Sequence, residues 1–157
     1  MKNLFKPYYE TRISKKHTKI YKENGTLFIK EFIVKRSGRP MGKKILIVDD
    51  DDEIRATIKL ILEKNGYSVA TAVNGTDCLK KLDTEKPDLI LLDIMMPGAP
   101  TREIVNKIKN TKIAYLTAVR VSEAERESLL TNKNIVDFIQ KPFDLNDLLK
   151  RIKKALA

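Results

Sequence analysis

Short apolar runs alternate with amphipathic stretches along the chain from residue 43 onward. Continuous aliphatic runs such as Ile45–Val48 and Leu89–Leu92 are typical of strands buried on both faces of a parallel sheet. Between these runs, apolar residues recur at helical spacing, as in Ile54, Ile58 and Ile61. We therefore predict an α/β fold, in which a doubly wound, five-stranded parallel sheet carries helices on both faces.

The element boundaries follow from these runs and from helix stop signals such as Asn65-Gly66 and Pro87. Strands are predicted at Lys44–Val48, Tyr67–Ala72, Asp88–Leu92, Lys112–Leu116 and Val136–Gln140. Helices are predicted at Asp52–Lys64, Thr76–Glu85, Thr101–Lys109, Glu123–Leu130 and Leu145–Leu156. We expect Asp144 to cap the last helix, because a short acidic side chain can accept the free amides of a first turn.

Polar residues stand at the carboxyl ends of four predicted strands. Asp49 and Asp50 follow the first strand, Asp93 follows the third, Thr117 the fourth and Lys141 the fifth. Because these ends meet at one edge of a parallel sheet, where such folds bind ligands, we expect the side chains to converge. Three carboxylates, a hydroxyl and an ammonium at one edge favour a divalent cation together with a phosphoryl group.

The composition fits one globular domain with an appendage. The chain has 157 residues, of which 42% are hydrophobic and 33% are charged. No apolar run reaches the roughly 18 residues that would span a bilayer, and the N-terminus lacks the apolar core of a secretory signal. We therefore expect no membrane partner. A single cysteine, Cys78, excludes an internal disulfide and fits a reducing cytoplasm, where we expect the protein to be located. Its helical surroundings predict a buried structural thiol.

Basic residues are concentrated in residues 1–40. This segment holds eleven Lys and Arg against three Glu, and it therefore carries +8 of the chain's net charge of +10. We predict a basic N-terminal extension over residues 1–40 and one domain over residues 41–157. Within the extension, Asn24-Gly25 favours a hairpin turn, although the segment could also be disordered. The extension could be a genuine functional segment or an upstream region included by the choice of start site.

Four motifs together resemble those of the receiver domain of two-component response regulators. They are Ile-Leu-Ile-Val-Asp49-Asp50, Leu-Leu-Asp93-Ile-Met-Met-Pro97, Leu-Thr117-Ala118 and Lys141-Pro142-Phe143. The resemblance covers residues 43–157 and implies a flavodoxin-like receiver with strand order 2-1-3-4-5. The chain departs from the family pattern at residues 98–101, where relatives usually carry Asp-Gly. The segment between Asp93 and Thr117 is also shorter than is common.

The resemblance implies a role for each polar strand end. Asp93 would be the phosphoacceptor, taking a phosphoryl group from a histidine kinase, and the protein would catalyse only its own phosphorylation and dephosphorylation. The Mg²⁺ ligands would be Asp49, Asp50, Asp93 and the backbone carbonyl of Met95. Lys141, which in the family precedes an often cis proline, would pair with Asp93 and then with the phosphoryl group, to which Thr117 would donate. We expect Asp51, Asp52 and Glu53 merely to open a helix.

The resemblance also implies a switch and a partner surface. Movement of Thr117 would let Phe138 turn from exposed to buried, remodelling the face formed by the fourth helix, fifth strand and fifth helix, where a downstream protein would bind. Relatives often have Tyr or His in place of Phe138. Met95 and Val119, which would flank the hydrolytic water, are apolar, so we expect slow self-dephosphorylation.

Two classes of function remain open. The favoured prediction is a stand-alone, chemotaxis-regulator-like response regulator or phosphorelay intermediate, because nothing follows the fifth helix at Ala157. The alternative is a nucleic-acid-binding regulator, since the basic extension interleaves Phe5, Tyr8, Tyr9 and Tyr21 with Lys and Arg. A solvated basic tail is the commoner outcome for such a composition. A pseudo-receiver is disfavoured, because every residue type that would contact phosphate is present.

Overall fold

The structure, a computed structural model, describes residues 9–13, 16–23, 26–30, 42–118 and 122–157. Its strands are β1 (Tyr9–Ile13), β2 (Lys16–Glu23), β3 (Thr26–Lys30), β4 (Lys44–Val48), β5 (Ser68–Ala72), β6 (Leu89–Asp93), β7 (Lys112–Thr117) and β8 (Ile135–Gln140). Its helices are α1 (Asp52–Lys64), α2 (Gly75–Glu85), α3 (Thr101–Lys107), α4 (Glu123–Leu129) and α5 (Leu145–Leu156).

Strands β4 to β8 form one parallel sheet in the order β5-β4-β6-β7-β8. Counted along the domain, this is the predicted order 2-1-3-4-5, so the prediction of a doubly wound, flavodoxin-like fold is confirmed. The first strand of the domain, β4, lies between β5 and β6, and the chain reverses its direction of winding there. A reversal of this kind opens a crevice at the carboxyl ends of the strands.

The sheet is buried by helices on both faces. Alternate residues of β4 point to opposite sides: Ile45 and Ile47 pack with α1 and α5, whereas Leu46 and Val48 pack with α2 and α3. All five residues of β6 are buried, as its unbroken aliphatic run predicts. The central strands are therefore held rigidly, and so are the polar residues at their ends.

Side-chain caps set the helix starts. Asp51 caps α1 by accepting from the amides of Glu53 and Ile54, and Asp144 caps α5 as predicted. The Asn74 side chain accepts from the Asp77 amide, so α2 begins at Gly75, one residue earlier than predicted. A Cβ atom at Gly75 would lie 2.5 Å from Cγ1 of Ile104 on α3, so this position requires glycine.

Besides α2, the predicted boundaries of β5, β6, α3, β7, α4 and β8 differ from the observed ones by one or two residues, and the differences at β6 and α3 have identifiable reasons. Strand β6 begins at Leu89 because the carboxylate of Asp88 instead accepts from the backbone amide of Lys44, 2.8 Å away, ahead of the strand. Helix α3 ends at Lys107, two residues earlier than predicted, because Ile108 adopts an extended backbone conformation and buries its side chain in the core.

The N-terminal segment has a separate antiparallel sheet in the order β1-β2-β3. Strands β2 and β3 pair with Glu23 opposite Thr26, a register that leaves two residues between them. The predicted turn residues Asn24 and Gly25 lie outside the described residues. Among the helices that the structure describes, none is long and apolar enough to cross a membrane.

Candidate functional site

Three carboxylates meet at the carboxyl edge of the parallel sheet. Asp49 follows β4, and Asp93 ends the neighbouring strand β6, where Val48 lies opposite Leu92. One carboxylate oxygen each from Asp49, Asp50 and Asp93 lies within 4.8 Å of the others. Asp49 is 1% exposed and Asp93 is 6% exposed, whereas Asp50 lies at the surface. The sequence-based expectation that these residues converge is therefore met by the geometry.

Lys141 places its ammonium between the two buried carboxylates. Its Nζ lies 2.6 Å from Oδ2 of Asp49 and 2.8 Å from Oδ2 of Asp93, and its side chain is 9% exposed. The amide of Lys141 donates to the carbonyl of Thr117 at 2.6 Å, which joins the ends of β7 and β8. The Lys141–Pro142 peptide bond is cis. The pairing with Asp93 was anticipated, whereas the pairing with Asp49 was not.

The remaining oxygens of the buried carboxylates accept backbone amides. Oδ1 of Asp49 accepts from the amide of Asp51 at 3.0 Å, and Oδ1 of Asp93 accepts from the amide of Met95 at 2.8 Å. Each carboxylate is thus held by one amide and by Lys141, which limits its rotation. The side chain of Asp51 instead caps α1, which agrees with the prediction that this residue opens the helix.

Burial and ion pairing pull the pKa values of these groups in opposite directions. Burial raises the pKa of Asp49 above its ordinary 3.8, although hydrogen bonds from Lys141 and the Asp51 amide act to lower it. For Lys141, burial lowers the pKa, but the hydrogen bonds and charges of Asp49 and Asp93 outweigh that effect and raise it. The cluster thus holds three carboxylates and one ammonium, which pairs with two of them, and its surplus of negatively charged oxygens suits a divalent cation.

Thr117 and Phe138, the two predicted switch residues, lie on the adjacent strands β7 and β8. Thr117 is fully buried at the end of β7. Phe138 on β8 is only 8% exposed, and its ring meets the ring of Tyr115 edge-on at 5.8 Å between centroids. The guanidinium of Arg126 on α4 lies 5.7 Å from the centroid of Phe138. The Phe138 side chain is therefore buried in this structure, and its role as a switch stays a prediction.

The sequence also predicted roles for Met95, Val119 and Cys78. Met95 is 60% exposed at the mouth of the cluster, and the role of its carbonyl stays a prediction. Val119 lies outside the described residues. Cys78 is fully buried, and burial raises the pKa of its thiol to about 12, which agrees with a structural thiol.

Sequence reasoning missed two contacts that brace the cluster. Nη1 of Arg55 donates to the backbone carbonyl of Asp49 at 2.7 Å, and Oγ1 of Thr101 donates to the carbonyl of Ile94 at 2.8 Å. Thr101 lies in the segment that departs from the family pattern, and its hydroxyl ties the loop after Asp93 to α3. In the sequence, that departure was the one sign that Thr101 could make an unusual contact. For Arg55, the signal was a cation on the first turns of the helix that follows the acids.

Comparison with known proteins identifies the domain. Residues 45–153 match the response regulator receiver domain. The chain belongs to this family. A solved receiver domain from Methanospirillum hungatei, described as CheY-like, superimposes with a TM-score of 0.65 at 36% identity, covering 73% of this chain and 93% of that one. The response regulator TrrA from Thermotoga maritima, solved in complex with Mg²⁺-BeF, has a TM-score of 0.62 at 36% identity, covering 73% and 99%.

Among curated proteins, the receiver resembles the alkaline phosphatase synthesis transcriptional regulatory protein PhoP of Bacillus subtilis. The two are 36% identical over 118 residues, which is 74% of this chain and 49% of PhoP. The chain thus spans about half the length of this curated relative. The family assignment concerns the receiver domain, a signalling module.

Proposed function

We propose that this receiver domain accepts a phosphoryl group from a histidine kinase on Asp93 in a Mg²⁺-dependent reaction, and then signals to a protein partner. The observation that carries the proposal is the position of Asp93 beside Asp49 and Asp50, with the ammonium of Lys141 2.8 Å from its carboxylate. A buried carboxylate in this position is held still and faces both a cation site and a fixed positive charge.

In the proposed reaction, a carboxylate oxygen of Asp93 attacks phosphorus while the bond from phosphorus to the donor nitrogen of the kinase histidine breaks. Lys141 then exchanges its contact with Asp93 for one with a phosphoryl oxygen, and the hydroxyl of Thr117 donates to another. Asp49 retains its pairing with Lys141 and keeps the ammonium at the site. The protein thus supplies mainly positioning and charge neutralisation, which is what phosphoryl transfer requires.

Asp49, Asp50 and Asp93 would hold Mg²⁺, joined by the backbone carbonyl of Met95. The bound cation would neutralise charge on the phosphoryl oxygens during transfer. The donor set fits, because it consists of carboxylate oxygens lying within 4.8 Å of one another. Without such a cation, a phosphoryl group on Asp93 would add negative charge beside two existing carboxylates.

Intact-mass measurement after incubation with acetyl phosphate and Mg²⁺ tests this proposal. Wild type should gain one phosphoryl group, and the gain should disappear in Asp93→Asn and when Mg²⁺ is omitted. An Asp83→Asn variant, which alters an exposed aspartate on α2, should be phosphorylated like wild type. A gain that persists in Asp93→Asn would place the phosphoacceptor elsewhere, and no gain in wild type would contradict the proposal.

The lifetime of the phosphorylated form provides a second test. Met95, exposed at the mouth of the site, and Val119 would flank the attacking water, and neither side chain can orient or activate it. We therefore propose slow self-dephosphorylation. Met95→Asn, which introduces a side chain that can form hydrogen bonds with water, should shorten the lifetime of the phosphoryl group. Loss of the phosphoryl group from wild type within minutes would contradict this proposal.

The partner surface we propose is formed by α4, β8 and α5. Phe138 lies on β8 within this surface, where its ring contacts Tyr115 of β7 and the guanidinium of Arg126 on α4. A cleft of about 420 Å³ lies where β8 packs against α5, with Val136, 40% exposed, and Asp137 among its lining residues. Phosphorylation would act by shifting the population of Phe138 between two packings. The stand-alone organisation and the cytoplasmic location stay predictions.

A second candidate function is nucleic-acid binding through the N-terminal extension. The observation that favours it is an antiparallel sheet, β1-β2-β3, within a segment of net charge +8. Affinity for a nucleic acid would then fall steeply with salt, because binding releases counterions. A duplex-binding assay between 50 and 300 mM NaCl, on the whole chain and on a variant lacking residues 1–40, tests this. Binding that survives the deletion would contradict it.

A further inference from the structure

Arg55 reaches from α1 to the main chain of the acidic cluster. Its Nη1 donates a hydrogen bond of 2.7 Å to the carbonyl oxygen of Asp49, and the contact is partly buried. That carbonyl belongs to the peptide unit that joins Asp49 to Asp50, two of the three clustered carboxylates. Because a peptide unit is planar, fixing its carbonyl also fixes the direction in which the chain continues to Asp50.

The contact matters most for Asp50. The amide of Asp49 donates to the carbonyl of Ala72 at 3.2 Å, and its carboxylate accepts from the amide of Asp51, so Asp49 is held independently of Arg55. Asp50, in contrast, lies at the surface. Arg55 therefore braces the peptide unit through which the more exposed carboxylate is attached to the rigid end of β4.

We propose that Arg55 is a positioning residue for divalent-cation binding, acting through the Asp49–Asp50 peptide unit. This inference rests on the cation site of the proposed function. Residues that orient metal ligands typically account for a factor of about 10 to 100 in metal affinity. We therefore expect the loss of the Arg55 hydrogen bond to weaken Mg²⁺ binding by about tenfold.

A purely electrostatic role for Arg55 predicts the opposite sign. The guanidinium is a positive charge close to the cluster, so charge repulsion alone would oppose a bound cation. Removing that charge would then strengthen Mg²⁺ binding. The direction of the change in affinity thus separates positioning from simple charge.

The experiment is a Mg²⁺ titration of the unphosphorylated full chain, without a phosphoryl donor, followed by amide chemical shifts in ¹H–¹⁵N NMR spectra. Arg55→Met removes both the donor and the charge, and Arg55→Lys keeps the charge but loses the planar guanidinium. The matched control is Lys59→Met, one turn further along α1, where the ammonium lies 3.8 Å from Glu63. Because affinity is measured on folded protein, a role confined to stability would leave it unchanged.

We expect Arg55→Met to bind Mg²⁺ about tenfold more weakly than wild type, Arg55→Lys to lie between them, and Lys59→Met to stay within about twofold of wild type. Equal or tighter binding of Mg²⁺ by Arg55→Met would overturn this inference and leave the proposed function standing. Should Arg55→Met not fold, Arg55→Lys decides: weaker binding supports the inference and unchanged binding overturns it. Absence of Mg²⁺ binding by wild type would instead overturn the proposed function together with this inference.

Discussion

Lys141 and Arg151 are each a cation between two carboxylates, but they lie in opposite surroundings. At the carboxyl edge of the sheet, Nζ of Lys141 is 2.6 Å from Asp49 and 2.8 Å from Asp93, and the exposed fractions of the three side chains do not exceed 9%. All three groups have lost most of their contact with water. Their interaction is therefore strong, and so is the penalty for removing any one of them.

Arg151 on α5 has nearly the same distances. It lies 2.9 Å from Asp137 on β8 and 2.8 Å from Asp147 one turn earlier, but its side chain is 38% exposed and that of Asp147 is 53% exposed. Water and salt screen these charges, so each pair stabilises the fold by less than about 1 kcal/mol. The two clusters have similar distances, so burial, and not the separation of the atoms, sets how much each charge contributes to the stability of the fold.

The largest effect is expected when the buried cluster loses its cation. Lys141→Met should lower the free energy of unfolding by about 3 kcal/mol at pH 7, because two buried carboxylates would lose their common partner. Urea unfolding measures this change. The loss should be smaller in an Asp93→Asn background, where one negative charge is already absent, so the two substitutions should not be additive. Additive effects would show that Lys141 acts independently of Asp93.

The exposed cluster should respond much less to the matched substitution. Arg151→Met should lower the free energy of unfolding by less than about 1 kcal/mol, and 1 M NaCl should remove most of that difference, since the Debye length falls to about 3 Å. The cost of Lys141→Met should persist in high salt. A salt-resistant loss in Arg151→Met would show that the exposed cluster is as well shielded as the buried one.

The smallest effect concerns Asp88, at the opposite edge of the sheet. Its carboxylate accepts from the amide of Lys44 and from the ammonium of Lys43, and these contacts lower its pKa below the ordinary 3.8. Because the pKa is lower in the folded state, this contact stabilises the fold above pH 3.8 and is lost as the pH falls through the folded pKa.

Asp88→Asn should therefore cost less than about 1 kcal/mol at pH 7, and its difference from wild type should shrink as the pH falls below 3.8. Urea unfolding at several pH values measures this dependence, with Asp83→Asn as the control for the loss of one exposed charge. A difference that is constant from pH 7 down to pH 3 would contradict the assignment of this stability to the carboxylate of Asp88.

Most of the fold could be predicted because its signals are local. The bounds of β4, α1 and α5 agree with the sequence-based prediction, since an aliphatic run or a helical apolar face is complete within the segment itself. The errors at β6 and α3 arose where a residue makes a contact elsewhere. Asp88 accepts from β4 rather than continuing its own strand, and Ile108 packs in the core.

The site could be predicted as a set of residues but not as a network. Position at strand ends was enough to bring Asp49, Asp93 and Lys141 together. The position of Arg55 on the first turns of α1 was visible in the sequence, but its contact with a backbone carbonyl was not, because a cation at that position could equally lie in solvent. The burial of Phe138 likewise depends on packing against Tyr115, which lies on a different strand.

The amino-acid pattern alone was enough to predict the succession of strands and helices along the chain and the residues that stand at the strand ends, because both depend on periodicity along a short stretch of chain. Only the tertiary structure shows which charges are buried, and that Arg55 contacts the Asp49–Asp50 peptide unit. The sequence placed Lys141 at a strand end and Arg151 on a helix, but only the packing around them shows that the first cation is shielded and the second is solvated. Burial is a property of all the surrounding elements, so no single segment encodes it.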